Sequence, residues 1–161
     1  MQKPIKRSKQ LVHLSRDHHD GLLVVWKVRQ GINKQVAPQV LAQFLQHEFA
    51  EHLAPHFLDE ESLLFANAPA DDALTAEAVQ QHFSLRQLVN KLLQEPSLEN
   101  IEGFINLLEQ HIRFEERQLF AHYESIFPAE QLKEIEAQLD ASHAVKKPCT
   151  WNNQFWLREK K

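Results

Sequence analysis

Apolar residues recur every three or four positions through most of the chain, which is the spacing of amphipathic helices. The pattern predicts four long helices and a short fifth one, at about residues 8–30, 38–66, 72–94, 97–126 and 128–140. Gly31 follows the first helix, Pro38 suits a first helical position and Ser97 suits an N-cap. Long amphipathic helices joined by short loops predict an all-α fold, an up-down-up-down four-helix bundle.

The segment after the fifth helix carries three large aromatic side chains, Trp151, Phe155 and Trp156. We expect this tail to be covered, either by the bundle or by a second copy in a homodimer, because such a cluster is costly in water. A chain of 161 residues has the size of one domain. We therefore predict a single domain over 1–161, with the bundle at about 8–126 and the short helix and tail at 128–161.

A proline, Pro55, lies inside the second predicted helix. Proline removes one backbone donor and crowds the carbonyl four residues earlier, that of Glu51. Two outcomes are open: a helix break, or a kink or bulge just before His56. The apolar positions continue on both sides of Pro55, which favours a kinked but continuous helix.

Two copies of the motif H-x-x-x-E-E lie in the second and fourth helices, at residues 56–61 and 111–116. Residues four apart on an α-helix are separated by about 40° of rotation and ~6 Å of rise. Each imidazole can therefore share an ion with the first glutamate of its motif. The second glutamates, Glu61 and Glu116, point about 100° away, towards the surface or the outside of such a site.

The first and third helices each place one histidine among inward-facing positions, His18 and His82. His19 points about 100° away from His18 and is the weaker alternative on its helix. Buried carboxylates need a compensating charge, and these inward positions carry no lysine, with Arg86 the one cation nearby. The pattern predicts a metal site with six ligands: His18, His56, Glu60, His82, His111 and Glu115.

Imidazoles and carboxylates on facing helices are typical of a dinuclear metal site. We expect Glu60 and Glu115 to bridge the two ions. His18 and His56 would hold one ion, and His82 and His111 would hold the other. Each ion would keep positions open for water, hydroxide or a diatomic gas such as oxygen or nitric oxide.

Several other polar residues have possible roles near this site. His52 lies one turn before His56 and is either a further ligand or a neighbour of one. His122 lies about 16 Å of helix rise from His111, too far to share the ions, but it could line an access path. Asp17 and Asp59 are candidates for orienting the imidazoles.

Charge and composition exclude other classes of function. The formal net charge is −4 and no sustained basic run is present, which argues against nucleic-acid binding. No segment approaches the ~20 apolar residues of a membrane span. The one cysteine, Cys149, forms no disulfide within the chain and fits a reducing compartment, so we expect a cytoplasmic protein.

The ordered set of motifs resembles the hemerythrin-like (HHE cation-binding) family over about residues 11–126. The motifs are Leu14-x-x-Asp17-His18, His56-Phe57-x-x-Glu60-Glu61, His82 and His111-x-x-x-Glu115-Glu116. The resemblance implies a four-helix bundle with an oxo- or hydroxo-bridged pair of iron ions. It also implies a role in binding or sensing oxygen, nitric oxide or iron. Iron is preferred from this resemblance, since the ligand set by itself also suits manganese or zinc.

The chain departs from the oxygen-carrying hemerythrins at two points. Those proteins have H-x-x-x-H on the third helix, where this chain has Arg86 in the second position. They also have H-x-x-x-x-D on the fourth helix, where this chain has His111 and Glu115. One histidine fewer would leave the iron more open, which favours reaction with oxygen or peroxide over reversible carriage.

Three functions follow as hypotheses. The first is a di-iron protein that binds or senses oxygen, nitric oxide, redox state or iron. The second is a di-iron enzyme with peroxidase-like, catalase-like or ferroxidase activity. The third is a metal-free helical bundle that binds a partner through its aromatic tail.

Overall fold

A computed structural model describes residues 7–144 and 151–158 of the chain. Within these residues every regular element is helical, which confirms that the fold is all-α, and Cys149 lies outside them. The α-helices are α1 (Val12–Asn33), α2 (Pro38–Glu48), α3 (Ala54–Asp59), α4 (Ala73–Gln94), α5 (Leu98–Phe114), α6 (Phe120–Ile126) and α7 (Ala129–Ser142). No helix in the described ranges is long and apolar enough to cross a membrane.

Wide π turns interrupt the second and fourth predicted helices without ending them. The π segment Phe49–Leu53 joins α2 to α3, Glu60–Leu64 follows α3, and Glu115–Leu119 joins α5 to α6. The residues at these junctions keep right-handed helical backbone angles. The chain therefore continues through Pro55, and the bulge expected before His56 is confirmed. Proline has no backbone N–H to donate, and the wider π turn lets the helix continue without that hydrogen bond.

The first helix ends later than the sequence predicts. It continues through Gly31 to Asn33, so the expectation that the helix ends before this glycine is wrong. Gly31 is buried, and a Cβ added there would lie 2.5 Å from Leu41 Cδ2 and 2.8 Å from Phe155 Cε2. Gly31 thus allows close packing inside the helix, and the turn that follows has its positive φ at Gln35 instead.

Two hydrophobic clusters fill the interior. One contains Phe44, Phe104 and Trp156 together with apolar residues of α1, α2, α4 and α5. The other contains Phe120 and Tyr123 together with apolar residues of α7 and the start of the chain. Aromatic rings of both clusters stack on histidines, since Phe57 of the first lies 4.0 Å from His82 and Phe120 of the second lies 5.1 Å from His18. The candidate metal residues therefore lie where the two clusters meet.

The described part of the tail packs against the first cluster. The rings of Trp151, Phe155 and Trp156 lie 5.2–5.6 Å from the ring of Phe44. The Lys27 ammonium lies 4.2 Å from the centroid of the buried Trp156 ring. The aromatic side chains are thus covered at least partly by their own chain.

The close approach at Gly31 leads to the first prediction. Gly31→Ala should destabilise the protein by about 1–3 kcal/mol, because the added methyl group would overlap Leu41 and Phe155. Gly103→Ala is the matched control, because nothing lies within 4 Å of a Cβ at this exposed position on α5. The control should stabilise the protein by about 0.5–1 kcal/mol through helix propensity. Urea unfolding measures both changes, and equal effects at the two positions would contradict this account.

Candidate metal centre

The structure brings the six predicted residues together from four directions. They lie on α1, α3, α4 and α5 and on the first residues of two π segments, and each is at most 5% exposed: His18, His56, Glu60, His82, His111 and Glu115. His19, by contrast, is exposed and belongs to neither ligand group, so the α1 histidine at the centre is His18.

Potential ligand atoms form two groups, and within each group they lie within 4.8 Å of one another. One group is His18, His56, Glu60 and Glu115, and the other is Glu60, His82, His111 and Glu115. Both groups share the two carboxylates. Glu60 Oε1 lies 3.0 Å from His56 Nε2 and 3.4 Å from His82 Nε2. Such carboxylates can bridge two cations.

Eight buried polar atoms at this centre make no hydrogen bond of acceptable geometry in the described structure, although imidazole nitrogens and carboxylate oxygens among them lie close to one another. They are the Nε2 atoms of the four histidines and both carboxylate oxygens of Glu60 and Glu115. Leaving a buried polar group unsatisfied costs about 1–3 kcal/mol, and more for a charged group. Nitrogen and oxygen donors gathered without such hydrogen bonds are what a bound metal cation requires, so the residues fit the metal pair that the spacing suggests.

The outward-facing nitrogens of the same histidines are all hydrogen-bonded. The Nδ1 pairs are His18 with Glu116 at 2.7 Å, His56 with Asp17 at 2.9 Å, His82 with Glu61 at 2.9 Å, and His111 with Gln81 at 2.6 Å. An Nδ1–H that donates outward leaves the Nε2 lone pair facing the centre, which is the tautomer a metal ligand needs.

Three of these four acceptors were candidates from the sequence, and one was not. Asp17 orients His56 as expected, whereas Asp59 contacts no imidazole of the centre and accepts a hydrogen bond from Ser142. Gln81 was missed, and its only signal is its place beside His82. His143 was missed too, although its Nε2 lies 2.8 Å from Asp17 Oδ2 and so extends the His56 contact towards the surface.

Two of the three π segments in the described ranges begin at a glutamate of the centre, one at Glu60 and the other at Glu115. A π turn holds more residues than an α turn, which reduces the angle between consecutive side chains. Each centre glutamate and the glutamate after it can therefore both face the histidine cluster. Glu61 and Glu116 do so, because each accepts a hydrogen bond from an imidazole of the centre.

Arg86 lies one turn after His82 on α4, but its side chain is directed to Glu61 and not to the centre. Its Nη1 and Nη2 donate to Glu61 at 2.7 and 3.2 Å. Glu61 Oε1 also accepts the Nδ1–H of His82 at 2.9 Å. Burial opposes ionisation of Glu61, but Arg86 and His82 outweigh it and lower the pKa of this carboxyl group. Arg86 thus acts on His82 through a carboxylate.

The protons at the centre are coupled to its carboxylates. Burial opposes a charged imidazole, but Glu60 and Asp17 raise the pKa of His56 to about 9, and Glu115 and Glu60 raise the pKa of His82 to about 10. Burial and the charge of Glu115 raise the pKa of Glu60, yet the neighbouring histidines outweigh them and lower it to about 2. When no metal is bound, imidazolium protons supply the positive charge. A metal cation must displace these protons, so binding should strengthen with rising pH.

Two further histidines that the sequence singled out, His52 and His122, contact carboxylates away from the centre. His52 Nε2 lies 3.7 Å from Glu48 Oε2, and His122 Nε2 pairs with Asp72 at 2.6 Å. Neither histidine belongs to a ligand group. His122 therefore contacts the N-terminal end of α4, where Asp72 also caps the helix through Thr75 N.

The Arg86–Glu61–His82 chain leads to the second prediction. Arg86→Ala should weaken metal binding about 10–100-fold, because Glu61 would lose the partner that holds it against His82. Arg113→Ala is the control, since Arg113 contacts Glu109 on the surface and should leave affinity unchanged. Competition with a chelator of known affinity measures both variants. Equal affinity in the two variants would show that Arg86 does not position Glu61.

Comparison with known proteins agrees with this geometry. Neither the curated proteins nor the solved structures compared with the chain gave a match. The sequence model of the hemerythrin HHE cation binding domain matches residues 10–123, a range that includes all six residues of the centre. The match covers well over half of the 161 residues. The chain therefore belongs to the hemerythrin HHE cation-binding family.

Proposed function

We propose that this protein is a non-heme di-iron protein of the hemerythrin-like type that binds or senses oxygen, nitric oxide, redox state or iron. The observation that carries the proposal is the set of eight buried donor atoms without a hydrogen bond of acceptable geometry in the described structure. The proposed ligands are His18, His56, Glu60, His82, His111 and Glu115. Glu60 and Glu115 are shared by both ligand groups and would bridge the ions.

The choice of iron rests on the resemblance to hemerythrins, since mixed imidazole and carboxylate ligation also suits manganese and zinc. A bound iron pair supplies one-electron redox chemistry and open positions for a small ligand. The chain supplies the rest: outward hydrogen bonds fix the imidazoles, and the rings of Phe57 and Phe120 cover His82 and His18. This packing excludes bulk water from the ligands.

The two proposed ion positions differ in their surroundings. His18 and His56 are both backed by carboxylates, Glu116 and Asp17. His82 is backed by a carboxylate, but His111 is backed by the neutral amide of Gln81. A carboxylate behind an imidazole makes it a stronger donor. We therefore expect the His18–His56 position to bind its ion more tightly.

An enzyme is the second candidate, with peroxidase-like, catalase-like or ferroxidase activity. It is favoured by the ligand count, because each group offers two histidines and two shared carboxylates and Arg86 is directed to Glu61. Four protein ligands leave positions open on both ions. A centre that is open on both ions suits reaction with oxygen or peroxide.

Removal of one ligand should lower both the amount of bound metal and the stability of the fold. His56→Ala should lower iron from two ions to at most one per chain, because His56 is a ligand of a buried position. Binding energy is also folding energy, worth about 2.7 kcal/mol at free metal one hundred times Kd. Metal analysis and thermal unfolding of the iron-loaded protein measure both effects.

His19→Ala is the control for this experiment, since His19 is exposed on the same helix as His18 and outside both ligand groups. It should keep both ions and the full melting temperature. Two irons in His56→Ala would refute the ligand assignment. Unchanged stability of the parent protein after exhaustive chelation would instead support the metal-free bundle.

The reaction with oxygen distinguishes reversible oxygen binding from oxidation of the ions. After the diferrous protein is mixed with oxygen, we expect vacuum not to restore the diferrous state, because open positions allow the ions to be oxidised. Stopped-flow absorption followed by degassing tests this. Complete recovery would contradict it and support reversible carriage. Turnover of hydrogen peroxide by the iron-loaded protein, absent in His56→Ala, would favour the enzyme over the sensor.

A further inference from the structure

A pocket of about 500 Å³ lies beside the buried centre. Its walls come from α1, from the α2–α3 helix with its π turn, and from the end of α7 at Ser142 and His143. His56 and Asp17 form part of its lining. Because His56 is 5% exposed and the other five proposed ligands are buried as well, a cation needs a route to them, and this pocket reaches one of them.

The charges that line the pocket favour a cation. Five carboxylates line it, together with Arg16, Lys27 and four histidines, and only one of the carboxylates, Asp17, is shared by two of these histidines. The Lys27 ammonium lies over the Trp156 ring at 4.2 Å, so an aromatic face already holds it. A concave surface with an excess of one charge concentrates ions of the opposite sign.

Glu48 is the unusual member of this lining. It is 5% exposed, and no hydrogen bond to its carboxylate is found within the described ranges. The basic atom nearest to it in those ranges is His52 Nε2, at 3.7 Å, which is longer than a hydrogen bond. The Glu48 oxygens are not among the fully buried atoms that lack partners in those ranges, so they open onto the pocket, where an incoming ligand can reach them.

A single divalent ion can satisfy Glu48 and His52 together. Two atoms 3.7 Å apart can each lie ~2.1 Å from one ion, the usual length of metal bonds to imidazole and carboxylate. The two residues are also four apart on a continuous helix, as are His56 and Glu60 further along it. These four side chains therefore follow one another along the helix from the pocket to the centre.

We propose that Glu48 and His52 form an outer cation site, through which divalent ions enter the pocket and pass to His56 and the buried centre. The inference rests on the proposed function, because it assumes that the centre holds metal. Glu48 and His52 act in uptake, whereas the six central residues determine how much metal is held at equilibrium. Rate and final stoichiometry therefore test the two proposals separately.

The experiment follows uptake of Co²⁺ by the metal-free protein in a stopped-flow instrument, using the visible absorption of the coordinated ion. The double variant Glu48→Gln with His52→Ala should take up Co²⁺ at least 10-fold more slowly and still reach two ions per chain. His19→Ala with Glu134→Gln is the matched control, since it removes the same two functional groups at exposed positions outside the pocket. It should load at the parent rate.

Each outcome decides one question. An unchanged rate in the double variant would overturn the outer site. Fewer than two ions at the end of loading in that variant would also overturn it, because the residues would then belong to the centre itself. Failure of the parent protein to bind two ions would instead refute the proposed function.

A second variant does not depend on a buried substitution. Asp20 is exposed and lines the pocket, so Asp20→Lys should slow uptake at low salt by repelling the ion. The effect should fall at high salt, where such charges are screened. Glu134→Lys makes the same charge change on α7 outside the pocket and should have no effect. Equal rates for the two lysine variants would contradict a cation route through this pocket.

Discussion

Two carboxylates buried side by side, Glu60 and Glu115, are the constraint on which the rest of the structure depends. Both are 0% exposed, and each lies close to histidines of the other half of the centre. Paired negative charges in a dry interior are stable only when positive charge is supplied at the same place. Protons on the surrounding imidazoles or divalent cations can supply it, and both require histidines from all four directions. The fold must therefore hold four helices in register around these two side chains.

Opposite charges alternate outwards from this pair. The imidazoles surround the two carboxylates, and a second set of carboxylates, Asp17, Glu61 and Glu116, accepts three of the four Nδ1–H groups. Cationic groups follow on the outside: Arg86 pairs with Glu61, and Arg7 pairs with Glu116 at 3.2 Å. Each layer stabilises the charge of the layer inside it, so a change at the surface can alter the centre without touching it. His111 is the exception, because the amide of Gln81 carries no charge.

The sequence predicted the part of the site that depends on spacing within one helix. The two H-x-x-x-E pairs and the inward histidines follow from helical periodicity, and the structure brings all six residues together. The π turns at Glu60 and Glu115 could not be read in this way, because any residue type can adopt helical backbone angles. Partners from distant helices were missed for a related reason: Gln81 and His143 meet their targets 30 and 126 residues away along the chain.

Gly31 shows how one local signal can have two physical causes. A glycine after an apolar series is commonly a helix end, because it tolerates a left-handed conformation. Here the same lack of a side chain allows Leu41 and Phe155 to approach inside the helix. Phe155 belongs to the C-terminal tail, 124 residues away, and no local pattern contains that contact. Packing between distant segments thus overrode the local preference.

The asymmetry of the centre and the position of the pocket point to the same ion position. His56 lines the pocket, and the His18–His56 pair is the one backed by two carboxylates. Under the proposed uptake route, the position that an incoming ion meets first is therefore also the one with the stronger donors. The His82–His111 position has no such contact with the pocket and can be reached across the shared carboxylates. Two ligand groups of the same composition would then fill in a fixed order, set by hydrogen bonds and access rather than by the ligands themselves.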